Sequence, residues 1–508
     1  MDFVNDIYID TLNFINNVPK ALRKEIGQFF TSPTVARYMG SLMTYSNEHI
    51  DILDAGAGSG ILTASLCEAV LKNKLIKSVD VDLYENNEAI LPILKSNMNI
   101  LKEILEVEGI SFNYRIMNEN FICSNSHYWK ESNDTTSGLY DVIISNPPYK
   151  KIGKNDLEAE SMPEVVHGQP NIYFLFMAMS AKLLKENGQM IFITPRSFSS
   201  GAYFQKFRKW FFNNVKLTHL HLFVSRADVF EGDSILQETI ILKAVKTTKR
   251  IHTVSISQCK NMDDFENQKT FVVPYKTIVN SDDDNCFMLM PTNQKDIDTI
   301  SFVNRWENNL VSLGYKLKTG PVVDFRATEF LRGEEEKDTA PLFWAHNFQN
   351  NRINFPVLVD KKPQYIVKSE VRLLIKNQNY IFLKRFTSKE EKRRLQSVLY
   401  FKEDFESFDY IGVENHLNYI TKINGTMSKQ ELYGLFVLLN SSVFDRYFRI
   451  LNGSTQVNAN EMNSIPFPNI EEILKLGSMI KEKNDFSVET CDLLLDEVFN
   501  KTDILQVV

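Results

Sequence analysis

The sequence predicts a doubly wound α/β fold with a parallel sheet in the first half of the chain, followed by a mixed α+β second half. Three observations lead to this prediction. Residues 51–60, DILDAGAGSG, indicate the end of a strand and then a glycine-rich turn. Strand 79–84 ends in Glu85, and strand 141–144 runs into the segment NPPY at 146–149. Because helical segments separate these strands, the pattern is typical of a doubly wound parallel sheet.

The composition indicates a soluble globular protein. The chain has 508 residues, of which 43% are hydrophobic and 24% are charged, and this length allows two or three domains. There is no uncharged apolar run of about 18 residues, and the acidic N-terminus is unlike a signal peptide. We therefore expect a cytoplasmic protein. The five cysteines are scattered without a Cys-x-x-Cys pair, so we expect neither a disulfide framework nor a metal site.

The glycine-rich turn predicts a nucleotide-like cofactor, although the turn alone does not say which one. It contains Asp54, Gly56, Gly58 and Gly60, and a helical segment follows it. Glycines at these positions allow a ligand to approach the backbone and the N-terminus of that helix closely. At the end of the second strand, Glu85 is placed to accept hydrogen bonds from two ribose hydroxyls. An ordinary carboxylate near a helix N-cap is the alternative for Glu85.

The segment NPPY indicates a rigid strand end that can hold a planar amine. Strand 141–144 is short, β-branched and apolar after its first residue, as buried parallel strands are. Pro147 and Pro148 fix φ twice and remove two N–H donors, so the strand cannot continue. Asn146 is biased towards an extended conformation, and together with Tyr149 it offers an acceptor-rich clamp for an NH2 group. An ordinary turn after a strand is the alternative for the tetrapeptide alone.

Several polar features would meet at one edge of the predicted sheet. Ligands bind outside the carboxyl ends of the strands in such sheets. The glycine-rich turn, Glu85, the turn at 118–121 and NPPY all follow strands and would lie at that edge. Their convergence favours a binding site over a set of unrelated turns. Residues 150–170 are polar without a clear period, and they predict a mobile loop beside the site.

Aromatic and basic residues occur together after the strand predicted at 190–194. Tyr203, Phe204 and Phe207 stand among the cations of the segment GAYFQKFRK at 201–209. One of these rings is placed to stack on a base whose other face meets Tyr149. Core packing of a helix is the alternative, and it must hold for some of the rings.

A local excess of positive charge distinguishes the second half of the chain, where we expect a domain boundary near 245–265. Residues 361–402 contain 12 Lys and Arg against 3 Asp and Glu, an excess of nine in a chain whose net charge is −7, so the remainder carries −16. Lysine and arginine side chains displace counterions from DNA phosphates, so this charge excess favours a DNA-facing surface. A solvated helix face is the alternative for the run KEEKRR alone. The first candidates for DNA contacts are Lys384, Arg385, Arg393 and Arg394.

Five motifs resemble, in their order, those of the gamma class of DNA adenine-N6 methyltransferases, the TaqI-like and Eco57I-like type II modification enzymes of restriction-modification systems. These motifs are GQFFTSP at 27–33, DAGAGSG at 54–60, YEN at 84–86, NPPY at 146–149, and PRSF with GAYF at 195–204. The second half is similar to the same group through KRFTSKEEKRR at 384–394, IGVENHLNYI at 411–420 and LNGSTQVNANEMNSIPFP at 451–468. The resemblance implies a Rossmann-like, S-adenosylmethionine-dependent methyltransferase domain over 1–245 and a DNA target-recognition domain over 246–508.

The resemblance also implies roles for individual residues. The cofactor would be bound by Gln28, Thr31, Asp54, Gly56, Gly58, Glu85, Asn120 and Phe121. The target adenine would be held by the catalytic segment Asn146, Pro147, Pro148 and Tyr149, with Phe204 stacking on the base and Tyr203 beside it. The family usually has an acid followed by Phe after the third strand, where this chain has Asn120-Phe121. An amide can still accept a hydrogen bond from the amino group of the cofactor's adenine.

The predicted reaction is direct methyl transfer from S-adenosylmethionine to the N6 amine of an adenine flipped out of double-stranded DNA. Alignment and electrostatics would supply the rate, with neither a metal nor a covalent intermediate. About 20 residues precede the cofactor-binding motifs, so we expect functional pairing with a separate restriction endonuclease. Two alternatives are an enzyme that methylates protein glutamine, since NPPY occurs there too, and a DNA-binding regulator with an inactive methylase fold. The basic second half argues against the first alternative, and the intact NPPY argues against the second.

Overall fold

The structure, a computed structural model, describes residues 2–16, 31–130, 138–223, 239–260, 264–280, 283–360, 362–388 and 390–499. The chain forms two compact units, Met1–Thr292 and Asn293–Val508. The first unit is built on a nine-stranded sheet, and the second contains a six-stranded and a five-stranded sheet.

The first unit alternates helices and strands along most of its length. Its elements are α1 (Phe3–Asn16), α2 (Pro33–Ser41), β1 (His49–Ala55), α3 (Ile61–Lys72), β2 (Ser78–Tyr84), α4 (Leu91–Val107), β3 (Ser111–Met117), α5 (Phe121–Ser124), α6 (Ser126–Lys130), β4 (Tyr140–Ser145), α7 (Leu157–Glu160), α8 (Ile172–Leu183), β5 (Leu184–Pro195), α9 (Gln205–Asn214), β6 (Lys216–Phe223), β7 (Thr239–Val245), β8 (Thr253–Cys259), β9 (Lys269–Pro274) and α10 (Tyr275–Ile278).

The large sheet confirms the predicted doubly wound α/β fold. Its strand order is β3-β2-β1-β4-β5-β7-β6-β8-β9. The first five strands in this order are all parallel to one another. β7 is antiparallel to both β5 and β6. The strand order reverses between β1 and β4, and ligands bind outside the carboxyl ends of strands at such a switch point.

Continuous apolar runs explain why the central strands are buried on both faces. Ile52 and Leu53 in β1 and Val142, Ile143 and Ile144 in β4 are all completely buried. Parallel strands covered by helices on both sides favour such β-branched and aliphatic runs over an alternating pattern. The helices α2, α3 and α4 contribute the apolar side chains that cover one face.

The sheet continues beyond the predicted boundary between the halves of the chain. β8 pairs in parallel with β6, and β9 pairs with β8, so the sheet extends to Pro274. The compact units therefore divide at 292/293, whereas the sequence predicts a division at 245/246. The polar composition after residue 245 indicates a domain boundary, but the strands there lie at the edge of the sheet, where one side remains accessible to water.

Residues 150–171 form a packed segment, where the sequence predicts a mobile loop. Ile152, Met162 and Val165 are buried. Lys151 forms an isolated β-bridge with Asn171. Three separated apolar side chains thus anchor a segment whose composition is mostly polar, and the segment reaches the candidate site described below.

The second unit is a mixed α+β structure. Its elements are α11 (Gln294–Val303), β10 (Tyr315–Thr319), β11 (Leu331–Arg332), β12 (Thr339–Phe343), β13 (Phe348–Gln349), β14 (Arg352–Ile353), β15 (Tyr365–Val367), β16 (Leu374–Lys376), β17 (Tyr380–Lys384), β18 (Ser397–Tyr400), β19 (Tyr410–Val413), β20 (Leu417–Lys422), α12 (Lys429–Asn440), α13 (Ser442–Leu451), α14 (Ala459–Ser464), α15 (Ile470–Lys483) and α16 (Val488–Phe499). Its strands form sheets of order β10-β20-β17-β18-β14-β13 and β11-β15-β12-β19-β16.

Residues 428–450 have a continuous apolar period but form two helices, α12 and α13. The break is at Ser441, whose backbone is extended, with φ of −73° and ψ of 154°. The Ser441 hydroxyl accepts a hydrogen bond from the Phe444 amide at 3.2 Å and so caps α13. An N-cap serine ends the first helix while the apolar period continues, which is why periodicity alone did not reveal the break.

No helix in the described ranges is both long enough and apolar enough to cross a bilayer.

Candidate active site

A cavity of about 620 Å³ opens at the carboxyl ends of the parallel strands of the first unit. Its wall contains residues from the glycine-rich turn and from the ends of three further strands. Those that the sequence singled out are Thr31, Gly56, Gly58, Glu85, Asn120, Phe121, Asn146 and Pro148. Gln28, another candidate cofactor contact, lies outside the described residues.

The glycine-rich turn adopts a conformation that side chains other than glycine would strain. Gly56, Gly58 and Gly60 all have positive φ, at 84°, 57° and 86°. The amides of Gly56 and Ala57 both donate to the Tyr84 carbonyl oxygen, at 3.0 and 2.9 Å, which ties the turn to the end of β2. The turn therefore brings its backbone to the cavity wall beside Glu85.

Glu85 joins the ends of β1 and β2 through its carboxylate. Oε2 accepts from the Gly58 amide at 2.9 Å, and Oε1 accepts from the Asn87 amide at 2.8 Å. The side chain is nearly buried, and this burial raises the pKa of Glu85 against the opposing effect of the backbone donors. A carboxylate can accept about four hydrogen bonds, so further acceptor capacity faces the cavity.

Asp54 lies behind the glycine-rich turn and does not form part of the cavity wall, contrary to the role that the family resemblance implies. Its Oδ2 accepts from the Thr63 amide at 3.2 Å and from the Thr63 hydroxyl at 2.8 Å. Burial raises the pKa of Asp54 to about 7. Its Oδ1 has no hydrogen-bond partner among the described residues. Asp54 thus supports the turn by holding the first turn of α3.

Asn146 is held on both sides of its amide. Its Nδ2 donates to Thr31 Oγ1 at 3.0 Å. The Tyr149 hydroxyl lies 2.9 Å from Asn146 Oδ1 and 3.1 Å from the Ile193 carbonyl oxygen, so its single proton can go to either acceptor. Ser32 caps α2 directly after Thr31, with Pro33 as the first helical residue. The cap fixes the position from which Thr31 reaches Asn146.

The aromatic candidates form a chain of ring contacts that runs through Tyr173. The Tyr149 and Tyr173 rings are 6.2 Å apart in a T-shaped arrangement, and the Phe204 and Tyr173 rings are 5.8 Å apart. Burial and the neighbouring Tyr173 raise the pKa of Tyr149 well above its usual range. Tyr203 is 56% exposed, and its ring lies against Gly168. The sequence did not single out Tyr173, which looked like one of many apolar residues in a buried helix.

Asn120 caps the short helix α5 and is engaged on both sides of its amide. Oδ1 accepts from the Ile122 and Cys123 amides, each at 3.1 Å. Nδ2 donates to Glu158 Oε1 at 2.8 Å. Glu158, like Ile152 and Asp156, belongs to the segment after NPPY and contributes to the cavity wall. Sequence reasoning missed these three residues because a polar segment without periodicity gives no sign of where it packs.

Two of the four basic candidates in the second unit are used internally. Arg394 is buried, and its guanidinium donates to Thr387 Oγ1, Asn452 Oδ1 and the Ser454 carbonyl oxygen. A side chain in that position cannot reach a DNA phosphate in this conformation. Arg393 donates to the carbonyl oxygens of Leu439 and Ser441 at the junction of α12 and α13. The charge pattern that singled out both arginines cannot distinguish a buried cation from a solvated one.

The other two basic candidates, Lys384 and Arg385, lie at the end of β17 and are partly exposed. Arg385 donates to the Asn415 carbonyl oxygen at 3.1 Å and lies 3.4 Å from Gln456 Oε1. Its guanidinium also stands 5.2 Å from the centre of the Phe386 ring, which is 41% exposed. This surface therefore combines a cation, an amide and an aromatic ring.

Comparison with known proteins identifies the family of this chain. The fold and the arrangement of the cavity define an enzyme of the doubly wound class with a nucleotide-like cofactor. The family of Eco57I restriction-modification methylases matches residues 62–230. Type II methyltransferase M.PstI from Providencia stuartii is 33% identical over 505 residues, covering 98% of this chain and 97% of that protein. Type II methyltransferase M.BsuBI from Bacillus subtilis is 32% identical over 469 residues, covering 91% of each.

The chain belongs to the type II methyltransferases of restriction-modification systems, and it is a DNA methyltransferase. Methylases of this family use S-adenosylmethionine as cofactor. Among solved structures, the chain aligns with the type IIG restriction endonuclease BpuSI at a TM-score of 0.43 and 14% identity, over 94% of this chain and 63% of that chain.

The residues of the cavity fit this cofactor. S-adenosylmethionine combines a sulfonium cation with a ribose and an adenine. The wall contains the carboxylates of Glu85, Glu119, Asp156 and Glu158 against the single cation of Lys150, and a negative wall favours a bound cation. The volume also lies within the range of about 300–1,000 Å³ that is usual for small-molecule sites.

Proposed function

We propose that this methyltransferase transfers the methyl group of S-adenosylmethionine to the N6 amine of an adenine in double-stranded DNA. The observation that carries the proposal is the position of Asn146 in the wall of the cofactor cavity. An acceptor for an amine therefore stands beside the binding site of the methyl donor. Proximity of the two reactants is the requirement for a direct transfer.

Asn146 and Pro147 would make the amine reactive. The lone pair of an exocyclic adenine amine is delocalised into the ring, so the amine is a poor nucleophile. Asn146 Oδ1 and the Pro147 carbonyl oxygen would each accept a hydrogen bond from one N–H group of the amine. This favours a more tetrahedral nitrogen with its lone pair directed at the methyl group. Bound S-adenosylmethionine supplies an electrophilic methyl group. Preorganised acceptors at the developing charge lower the barrier without reorganising during the reaction.

The target adenine would be flipped out of the duplex to reach these acceptors. Extrusion of a base costs a few kcal/mol, and stacking on an aromatic ring returns about 1–3 kcal/mol per base. Tyr149 and Phe204 are the proposed stacking partners. Both rings contact Tyr173, which supports a common aromatic region next to Asn146.

Recognition of the DNA sequence is proposed for residues 246–508, of which residues 246–292 belong to the first compact unit, and catalysis is proposed for residues 1–245. The charge excess of residues 361–402 supports a phosphate-binding surface. Lys384 and Arg385 are the proposed contacts, and Arg393 and Arg394 are proposed to support the surrounding loops. Functional pairing with a separate restriction endonuclease and a cytoplasmic location stay predictions from the sequence.

Transfer of a tritiated methyl group to unmethylated duplex DNA tests the proposal. After digestion to nucleosides, we expect the label in N6-methyl-2′-deoxyadenosine. Label in a methylated cytosine would contradict the adenine assignment while leaving a DNA methyltransferase. A duplex in which 2-aminopurine replaces the target adenine tests base flipping separately, because its fluorescence rises when the base leaves the stack. An unchanged signal on binding would contradict extrusion.

A further inference from the structure

The strand order of the first unit gives the cofactor a direction along the cavity. The order is β3-β2-β1-β4. Glu85, the proposed ribose ligand, follows β2, and Asn146, the proposed acceptor for the target amine, follows β4. The ribose of S-adenosylmethionine lies between its sulfonium and its adenine. The adenine therefore extends from Glu85 away from β4, towards the end of β3.

The end of β3 provides an apolar wall for a flat base. Phe121, which follows β3, forms part of the cavity wall. Its ring lies 5.2 Å from Tyr84 and 5.0 Å from Phe176. An adenine in this position also brings an exocyclic amine with two N–H donors, and a donor that leaves water without a new acceptor weakens binding.

Asn120 is poorly placed to supply that acceptor. Its Oδ1 already accepts from the amides of Ile122 and Cys123, which fill the two lone pairs of a carbonyl oxygen. Its Nδ2 can only donate, and it donates to Glu158 Oε1. The amide is therefore occupied by the cap of α5 on one side and by Glu158 on the other.

We propose that Glu158 accepts the exocyclic amine of the cofactor's adenine. Glu158 is half-buried and forms part of the cavity wall. Oε1 is held by Asn120, and Oε2 has no hydrogen-bond partner within the described residues. A single carboxylate thus joins the end of β3 to the segment after NPPY and leaves one oxygen for the base. The assignment rests on the cofactor placement of the proposed function.

Two other carboxylates of the wall are weaker candidates. Asp156 Oδ2 accepts from the Gly153 amide at 2.8 Å, within its own loop. Glu119 is exposed and directly precedes Asn120. Among the described residues, neither carboxylate receives a hydrogen bond from Asn120, as Glu158 does. An acceptor that is already oriented loses less side-chain entropy when the ligand binds.

The test compares two ligands by calorimetry on the full-length protein. One is S-adenosylhomocysteine, and the other is its analogue in which hydrogen replaces the adenine amino group. For the unaltered protein we expect the analogue to bind about 10- to 100-fold more weakly, the range for loss of a hydrogen bond to a charged group. Glu158→Gln should reduce this ratio to roughly 3-fold or less, because the glutamine has one oxygen where the carboxylate has two. With that oxygen turned towards Asn120, an NH2 donor faces the amine of the cofactor.

Three further variants make the result specific. Glu158→Asp keeps two acceptor oxygens and should retain most of the ratio, and it provides a second measurement if Glu158→Gln unfolds. Glu160→Gln removes an exposed carboxylate from the same short helix and should leave the ratio unchanged. Glu119→Gln should also leave it unchanged. Thermal unfolding midpoints establish that each variant is folded.

The possible outcomes separate the inference from the proposed function. If Glu158→Gln weakens both ligands equally and the ratio persists, Glu158 only supports Asn120 and the inference is overturned. If Glu119→Gln alone abolishes the affinity difference between the two ligands, Glu119 accepts the amine instead, and the inference is overturned as well. If the unaltered protein binds neither ligand, the proposed cofactor placement fails, and the inference falls with it. Loss of the ratio in Glu158→Gln with normal binding of the analogue supports the inference.

Discussion

The hydroxyl of Tyr149 lies 2.9 Å from Oδ1 of Asn146, so a hydrogen bond can join the two ends of the NPPY segment. On the other side of the same amide, Thr31 Oγ1 accepts from Asn146 Nδ2 at 3.0 Å. The two contacts orient the amide, with its oxygen towards Tyr149 and its nitrogen towards Thr31. A carbonyl oxygen has two lone pairs, so an incoming amine can share Oδ1 with Tyr149.

Removal of the Asn146 amide should abolish methyl transfer but not cofactor binding. For Asn146→Ala we expect kcat to fall by roughly 100-fold or more, as for loss of an electrostatic group at a transition state. The affinity for S-adenosylmethionine should change little, because the proposed ribose and base contacts remain. Single-turnover methylation and calorimetry measure the two quantities. Asn155→Ala, at an exposed position after NPPY, is the matched control, and near-normal turnover by Asn146→Ala would contradict the mechanism.

Thr31 should act by orienting Asn146. Thr31→Val has nearly the same shape but removes the acceptor for Asn146 Nδ2. We expect kcat to fall by about 2- to 10-fold, the range for one neutral hydrogen bond of about 0.5–1.5 kcal/mol. Thr31→Ser restores the hydroxyl and should recover most of the rate. Equal rates for the valine and serine variants would show that the hydroxyl does not position the amide.

Loss of the Glu85 carboxylate should weaken cofactor binding more than DNA binding. For Glu85→Ala we expect a loss of about 1.5–3 kcal/mol in the binding free energy of S-adenosylmethionine, as for hydrogen bonds to a charged group. Part of the loss comes from the Gly58 and Asn87 amides, which lose their acceptor. Calorimetry with cofactor and filter binding with DNA provide the comparison. Glu88→Ala, an exposed neighbour, controls for charge, and unchanged cofactor affinity in Glu85→Ala would refute the ribose role.

His221, which is buried, and His219, which is partly buried, should make the free energy of unfolding depend on pH. Burial lowers the pKa of His219 to about 4 and that of His221 to about 3, and both side chains contact the Ser257 hydroxyl. Above pH 7 both histidines are neutral in the folded and unfolded states. As the pH falls below about 6.5, the unfolded chain binds protons that the folded chain does not, so stability declines by up to about 1.4 kcal/mol per pH unit for each histidine.

Urea denaturation between pH 7 and pH 5 measures this dependence. The variants His219→Gln and His221→Gln should each show a shallower decline than the unaltered protein. His127→Gln, at an exposed position, should keep the original slope. An identical slope in all four proteins would mean that other groups cause the loss of stability at low pH.

The surface around Lys384 and Arg385 should contribute to DNA binding through phosphates. If both side chains contact phosphates, the double change to Gln should weaken binding to all sequences alike and reduce the salt slope by about one unit per lost contact. If Arg385 contacts a guanine edge, its loss should cost about 1–3 kcal/mol at one position and relax specificity there. Filter binding across a salt series distinguishes these results. The double change to Gln at Lys481 and Lys483, which are exposed on α15, is the matched control. If the variant of Lys384 and Arg385 has the same salt slope as this control, the surface around these two residues does not contact DNA.

Much of the candidate site could be predicted because its signals are local. Positive φ at Gly56, Gly58 and Gly60 is a property that glycine tolerates at little cost. The two prolines of NPPY limit the backbone regardless of what surrounds them. Since parallel strands end at one edge of the sheet, the order of strands and helices was enough to bring Glu85 and Asn146 to the same cavity. The doubly wound fold followed from the same local pattern.

The remaining features depend on long-range packing, which no local pattern encodes. Arg394 belongs to a strongly basic run but is buried against Asn452 and Ser454, residues almost 60 positions later in the chain. Glu158 lies between Ile152 and Met162, and these two buried side chains anchor the segment that brings Glu158 to Asn120.

The sequence by itself thus determined the doubly wound sheet, the glycine-rich turn and the strand end at NPPY, because backbone constraints and strand periodicity act over a few residues. The tertiary structure decided which carboxylates line the cavity, which arginines are accessible and where the sheet ends. These outcomes depend on contacts between distant segments, whose free energies appear only when the chain is folded.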